Sequence, residues 1–482
     1  MSEREDRIQG TLLGTAAGDA LGAPYEFGPP LPAEKVVMRP GGPWALGEWT
    51  DDTAMMIAVA ELAAEGLDLR DEEVQDRLVR RWHDWSLKSK DVGVQTGSVL
   101  SRAARGGAIT AARARAHSAL LHQQTARTAG NGSLMRTAAV ALAFLEDEAA
   151  LVQAARAISE LTHYDPLAGD ACVLWCSAIR HAVLTGHLDA RIGLDNLPAE
   201  RRGQWQDHLA AAESAQPSDF TNNGFVVQAL QGAWSAIAAT ADPSSDPGSG
   251  RLRAHHLRRA LECAVAGGRD ADPVAAIAGG LLGAAYGASA VPLEWRQNLH
   301  GWPGIRAHHL VEFASAIDRK GGLDPCDLSY PDPASATMAR HPYDDRVLLG
   351  GIGVLRKMPG DVDAVVSLCR LADSDLQLNM SHIEVRLIDS AVPEDNPHLD
   401  FVLLETVRAV ERLRSQDHTV LVHCVAAYSR TPTIAALYGS RLRGVSAAQA
   451  LADVQKVLPR SRPNSAFREA LDRLAGPRVG AA

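Results

Sequence analysis

Residues 274–293 form a run of twenty residues without a charged side chain. That is long enough to cross a bilayer. The run must therefore lie in lipid or be wrapped by protein on every side. It consists largely of Gly and Ala, contains Pro292, and follows directly on Asp270 and Asp272. These features favour a helix buried in protein, with small residues that let neighbours approach closely. Such a helix needs other helices around it. Ala is abundant, and aromatic residues make up 5% of the 482-residue chain, which suits tight helix packing. The hydrophobic fraction of 46% and charged fraction of 22% are those of a soluble globular protein with room for two or three domains. No membrane association is expected.

Helical spacing recurs through the first two-thirds of the chain. Ile8, Leu12, Leu13 and Ala16 mark a helix over residues 7–22, with small residues at Gly14, Ala17, Gly18 and Gly22. Residues 28–47 read as irregular. Val74, Leu78, Trp82 and Trp85 define one face of a helix beginning near Asp71. Helical patterns continue at 134–142, 151–162, 167–184, 225–239 and 257–265. Residues 188–203 read as a loop-rich connection, and 242–250 as a turn-rich surface loop. No strand is expected before residue 320.

Beyond 320 the pattern changes. A Pro- and Asp-rich linker is followed by β-like runs at 346–349, 364–368, 382–387 and 419–422, alternating with helical patterns at 399–414 and 432–442. That alternation predicts a mainly parallel sheet. The expected architecture is multidomain: an all-α domain over 1–320, a linker over 321–339, and an α/β domain over 340–482.

The formal net charge of -10 argues against nucleic-acid partners. The six cysteines (172, 176, 263, 326, 369 and 424) show no zinc-type spacing. Residues 1–6 are charged, with no apolar signal segment. The expectation is a cytoplasmic protein with reduced thiols, and Cys172 and Cys176 on one buried helix face.

The first chemical centre is Thr50-Asp51-Asp52, just ahead of an apolar run. Thr50 reads as a helix N-cap, with Asp51 and Asp52 in the first turn, where they suit the helix dipole. The same oxygens suit a hard divalent cation such as Mg²⁺ or Mn²⁺. Asp270 and Asp272 form a second acidic pair beside a helix start. Two carboxylates about 4 Å apart repel by roughly 4 kcal/mol at an effective dielectric near 20, a cost that bound cations relieve.

Several motifs occur in order: Gly10-x3-Gly14-x3-Gly18-Asp19-Ala20-Leu21-Gly22, Trp49-Thr50-Asp51-Asp52-Thr53, Gly130-Asn131-Gly132-Ser133-Leu134-Met135-Arg136, Thr162-His163 and Asp270-Ala271-Asp272. Together they resemble the ADP-ribosylglycohydrolase family, of the dinitrogenase-reductase-activating type. The resemblance implies an all-α fold in which two metal ions serve hydrolysis at C1″ of ADP-ribose, on an ADP-ribosylated protein or small molecule. Thr50, Asp51, Asp52, Asp270 and Asp272 match the metal ligands, and Glu26 an acidic residue beside them. Asn131, Gly132 and Ser133 match the loop that holds the diphosphate, and His163 a substrate-side residue. Asp19 reads as a helix-packing partner. Pro273 departs from the pattern, because the family carries Thr or Ser there. It weakens the expected second ion and leaves open an ADP-ribose-binding module with little turnover.

The second centre is Cys424, followed after five residues by Arg430, between a β-like run and a helix. That spacing lets a loop wrap an oxyanion, with N–H groups pointing inward and a guanidinium closing over it. Residues 340–475 resemble the dual-specificity cysteine phosphatases. The resemblance makes Cys424 the nucleophile toward a phosphorylated substrate and Arg430 the phosphate binder. It makes Thr431 an aid to breakdown of the cysteinyl-phosphate, and Asp389 (with Asp395 second) the general acid. Ala427 replaces the usual loop glycine, so a phosphate-recognition scaffold stays open as the alternative.

Overall fold

The computed structural model describes residues 2–241, 251–321, 336–371 and 380–475. The expected 242–250 loop, most of the expected linker (322–335, with Cys326) and residues 372–379 lie outside the described residues.

The charge-free run does become a buried helix, Ala271–Tyr286, lying antiparallel to helix Glu3–Gly22. Gly10, Gly14, Gly18 and Gly22 recur every four residues and so share one face. They press on Gly283, Gly279, Ala275 and Asp272 of the partner, where any added Cβ would strike backbone or Cβ atoms. Both helices are thereby buried nearly all round; every residue from Asp6 to Gly22 is buried. The register brings the Asp19–Gly22 end of one helix against Asp272 at the start of the other.

The expected extent of this helix needs correction. It ends at Tyr286, because Gly287 turns the chain with φ 83°, and a separate helix Leu293–Asn298 follows. Its sixteen residues span about 24 Å, less than a hydrocarbon core of about 30 Å. Helix Pro166–Thr185 is long and apolar enough to cross a membrane, but 78% of its apolar window is buried inside the protein. It carries Cys172 and Cys176, both fully buried.

Two further expectations change. Helix Ala199–Glu213 starts inside the stretch read as loop. It buries only Trp205, Leu209 and Ala212, a stripe too thin to stand out in sequence. A short antiparallel pair, β1 (His300–Gly301) and β2 (Ile305–Arg306), precedes residue 320.

The remaining strands are β3 (Met338–His341), β4 (Asp344–Gly351), β5 (Ala364–Ser367), β6 (Ser381–Glu384) and β7 (Val420–Cys424). They form one sheet ordered β3-β4-β7-β5-β6, antiparallel only between β3 and β4. β3 begins inside the expected linker. β7 is central and buried at all five residues, which explains its unbroken apolar pattern. Cys424 is its last residue, at the carboxyl edge where parallel sheets present ligand sites.

The helical body and the sheet unit share residues. Leu293 packs in the sheet's apolar cluster, and Phe401 in that of the helices.

Candidate functional site

Helix Asp51–Ala64 starts at Thr50, as expected, but the Thr50 side chain makes no capping bond. Asp19 caps instead. Its carboxylate accepts the Thr50 and Thr53 backbone N–H groups at 2.9 Å each, and the Thr50 hydroxyl at 2.9 Å. Thr50 Oγ1 is thereby turned toward the acids, 3.0 Å from Asp52 Oδ2 and 3.4 Å from Asp272 Oδ2. A hydroxyl has one proton to give, so it cannot satisfy three carboxylates at once. Asp52 Oδ1 and Asp272 Oδ1 are buried and have no hydrogen-bond partner among the described residues.

Two groups of acids result, with oxygens within 4.8 Å of one another: Asp19, Asp52 and Asp272, and Glu26, Asp270 and Asp272. Asp272 belongs to both. Orphaned carboxylate oxygens converging in this way fit hard divalent cations. Asp51 stands beside the groups, half-buried. Burial, then neighbouring acids, pushes Asp51 up to about 7 and Glu26 to about 8. Burial alone raises Asp19 to about 6, against the hydrogen bonds it accepts. Asp52 and Asp272 are pushed well above the carboxylate range by burial first and by the surrounding acids second.

Local structure brings these groups together. Phe27 N–H donates to Arg269 O, and Arg269 N–H to Gly28 O (2.6 and 2.7 Å), which sets Glu26 beside Asp270. Asn131 Nδ2 donates to Asp270 Oδ2 at 2.7 Å. Asn223 accepts the Asp270 N–H at 3.1 Å and donates to the carbonyls of Gly268 and Asp270. Sequence reading missed Asn223 and Asp91. The latter raises Glu26, Asp51 and Asp270 by its charge. Neither lies in a recognised motif.

The expected diphosphate loop, Asn131-Gly132-Ser133, forms one short helical turn. Asn131 holds Asp270, and Ser133 accepts from Ser159 Oγ at 3.0 Å inside the core. Their side chains are engaged, and the Asn131 backbone N–H donates to Gly224 O at 3.1 Å. His163 packs beneath Gly130 and Gly132, bonded through Nδ1 to Thr162 Oγ1 at 2.7 Å. Burial and the nearby Arg136 guanidinium push its imidazole down to about 3, so it supports the loop as a neutral ring.

The model of one family, ADP-ribosylglycohydrolase, matches residues 1–323. The chain belongs to the ADP-ribosylglycohydrolase family. It is 30% identical over 332 residues to the ADP-ribosylarginine hydrolase Tri1 of Pseudomonas putida (strain GB-1), covering 67% of this chain and 81% of that one. It is 29% identical over 313 residues to the ADP-ribosyl-[dinitrogen reductase] glycohydrolase of Rhodospirillum rubrum, covering 61% and 90%.

The second centre lies beyond the family match. Cys424 ends β7, and helix Arg430–Arg443 begins after five intervening residues. Cys424 is buried. Arg430 Nη1 donates to the carbonyls of Leu368 (2.7 Å) and Leu387 (3.1 Å), while its buried Nε has no partner among the described residues. Ala427 keeps the left-handed conformation of a loop glycine, φ 57°. Asp389 is exposed, accepts from Asn464 Nδ2 at 3.2 Å, and lines a cavity of about 460 Å³ with Tyr428, Ser429, Arg460 and Arg462. Asp395 does not line that cavity. Thr431 is fully buried, and its hydroxyl donates to Gly350 O at 3.3 Å. The solved human DUSP28 aligns here at 21% identity and a TM-score of 0.25, covering 28% of this chain and 90% of that one.

Proposed function

We propose that the helical body hydrolyses the glycosidic bond of an ADP-ribosyl group carried by a protein or small molecule. Thr50, Asp51, Asp52, Asp270 and Asp272 hold Mg²⁺ or Mn²⁺ in this reading. The observation that carries it is the pair of buried carboxylate oxygens, on Asp52 and Asp272, that have no partner around the Thr50 hydroxyl. Bound divalent ions supply Lewis acidity and offset the repulsion among the acids. Asp19 fixes the helix start that aims Thr50 and Asp52. Asn131 and Asn223 fix Asp270. Glu26, which holds a proton near neutral pH in the metal-free site, is the group placed to exchange one with water or the departing group. Pro273 occupies the first turn of its helix, where its missing N–H costs no bond, but it offers no oxygen. The second ion therefore has fewer protein ligands.

The test is ADP-ribose release from an ADP-ribosylated protein. Release is expected to require Mg²⁺ or Mn²⁺, to stop with chelator, and to vanish in Asp51→Ala and Asp270→Ala. Full activity in chelator sinks the metal assignment. Tight ADP-ribose binding without release makes this body a binding module.

A second reading concerns residues 340–482, which we take, with the start of β3 at Met338, as a domain of its own after a linker that begins at 321. The partnerless Arg430 Nε, on the loop that begins at Cys424, favours phosphate-ester hydrolysis through a cysteinyl-phosphate. In this reading Cys424 is the nucleophile, Arg430 the phosphate binder and Asp389 the acid. Aryl phosphate hydrolysis is expected to survive chelation and to disappear in Cys424→Ser. Equal rates in mutant and wild type remove Cys424 as nucleophile.

A further inference from the structure

Beside the acid groups lies a cavity of about 450 Å³ that neither proposed reaction uses. Four of the protein's nine tryptophans line it: Trp44, Trp49, Trp85 and Trp302. Its floor is fixed. The Trp49 indole N–H donates to Trp302 O at 3.1 Å, and the ring lies so close on Gly301 that an added Cβ there would collide with it. Trp302, in the turn between β1 and β2, is 37% exposed.

The cavity is also cationic. Lys90 Nζ lies 5.1 Å from the centre of the Trp44 ring, and Lys88 Nζ lies 5.6 Å from that of Trp302. Glu48 neutralises Lys90 at 2.6 Å. Among the described residues no acid lies within ion-pair distance of Lys88 or of Arg306, which also lines the cavity. Two uncompensated cations, Lys88 over an indole and Arg306 in the lining, stand out in a protein with a formal net charge of -10. A cavity of this size fits a small molecule. The indoles select a planar aromatic face, and the cations select an anion.

The acids are kept apart from this cavity. None of Asp19, Glu26, Asp51, Asp52, Asp270 and Asp272 lines it; Ser89 does, whereas Asp91 acts on Glu26, Asp51 and Asp270. Thr50 lies in the shared wall, and its hydroxyl bonds on the acid side.

We propose that this cavity is a nucleotide-binding site, with a base stacked on Trp302 and a phosphate met by Lys88 and Arg306. The same chemistry exists in a free nucleotide and in the adenylate end of ADP-ribose. The test is calorimetric titration of the full chain with AMP in the presence of chelator. AMP is expected to bind at one site, with adenosine and inorganic phosphate each at least about tenfold weaker. Trp302→Ala and Lys88→Glu, both at exposed positions, are each expected to weaken AMP about tenfold or more while circular dichroism stays unchanged. Asp52→Asn is expected to bind AMP as wild type does. If ADP-ribose competes with AMP, and Trp302→Ala raises KM without lowering kcat, the site serves the adenylate end of the substrate. If the two bind together, it serves a free nucleotide. No binding at millimolar AMP, or AMP binding untouched by both surface variants, overturns the proposal.

Discussion

Asp19, Asp51 and Glu26 hold protons in the fold that an unfolded chain would release. Their folded values of about 6, 7 and 8 stand above the ordinary carboxylate range, chiefly through burial. The folded state therefore binds more protons than the unfolded state between about pH 4 and pH 8, and stability falls as pH rises through that window. The metal-free protein is expected to melt at a lower temperature at pH 8 than at pH 5. Mg²⁺ or Mn²⁺ is expected to recover more at pH 8, where the acids are ionised. Melting curves with and without chelator check this, and a flat metal-free profile contradicts the burial argument. At the other centre, Ala427 sits at φ 57°. A left-handed Ala costs roughly 1–2 kcal/mol, and the extra freedom of Gly in the unfolded chain returns about 0.4–1 of it. Ala427→Gly is expected to stabilise the protein by about 0.5–1 kcal/mol in urea denaturation.

The seam between helices Glu3–Gly22 and Ala271–Tyr286 is the element on which the acid groups depend. An added Cβ at Gly14 would strike the Gly279 carbonyl, and neither backbone can yield without parting the helices. Gly14→Ala is expected to cost about 3 kcal/mol. It is also expected to weaken the metal response, because Asp19 and Asp272 are aligned by the same seam. Gly203 is the control: it lies in helix Ala199–Glu213 with nothing within 4 Å of an added Cβ. Gly203→Ala is expected to stabilise by about 0.5–1 kcal/mol. Denaturation midpoints of the two variants should therefore move in opposite directions. This element also shows what a sequence can tell. The four-residue glycine spacing, the charge-free run and the cysteine–arginine interval are local patterns, and each led to the right element. Asp19 capping a helix 31 residues away, and Asn223 holding Asp270 across 47 residues, are contacts that no local pattern encodes. Thr50 shows the limit most clearly. Its position as N-cap was legible, but the direction of its hydroxyl depends on Asp19.

Across the whole molecule, one buried ion pair ties the sheet unit to the helices. Arg386 Nε lies 3.1 Å from Asp6 Oδ1, with side-chain exposures of 8% and 0%. Asp6 also accepts the Ser289 N–H at 3.0 Å, so the pair grips the turn after the central helix. Nearby, His398 Nε2 bonds the Tyr286 carbonyl at 2.7 Å. On the sheet side, the residue after Arg386 is Leu387, whose carbonyl holds Arg430. The contact thus reaches from the first helix to the cysteine loop. Removing one partner of a buried pair strands the other, at about 3–5 kcal/mol, whereas replacing both with apolar groups is often neutral. Arg386→Leu and Asp6→Leu are each expected to destabilise by about that amount, and the double variant by clearly less than their sum. A coupling of about 2 kcal/mol or more in this double-mutant cycle supports an interlocked body. Strict additivity makes the pair a passive surface contact. Calorimetry adds an independent reading. Because Leu293 and Phe401 each pack in the other unit's core, wild type is expected to unfold in one main transition, and Arg386→Leu to separate it into two.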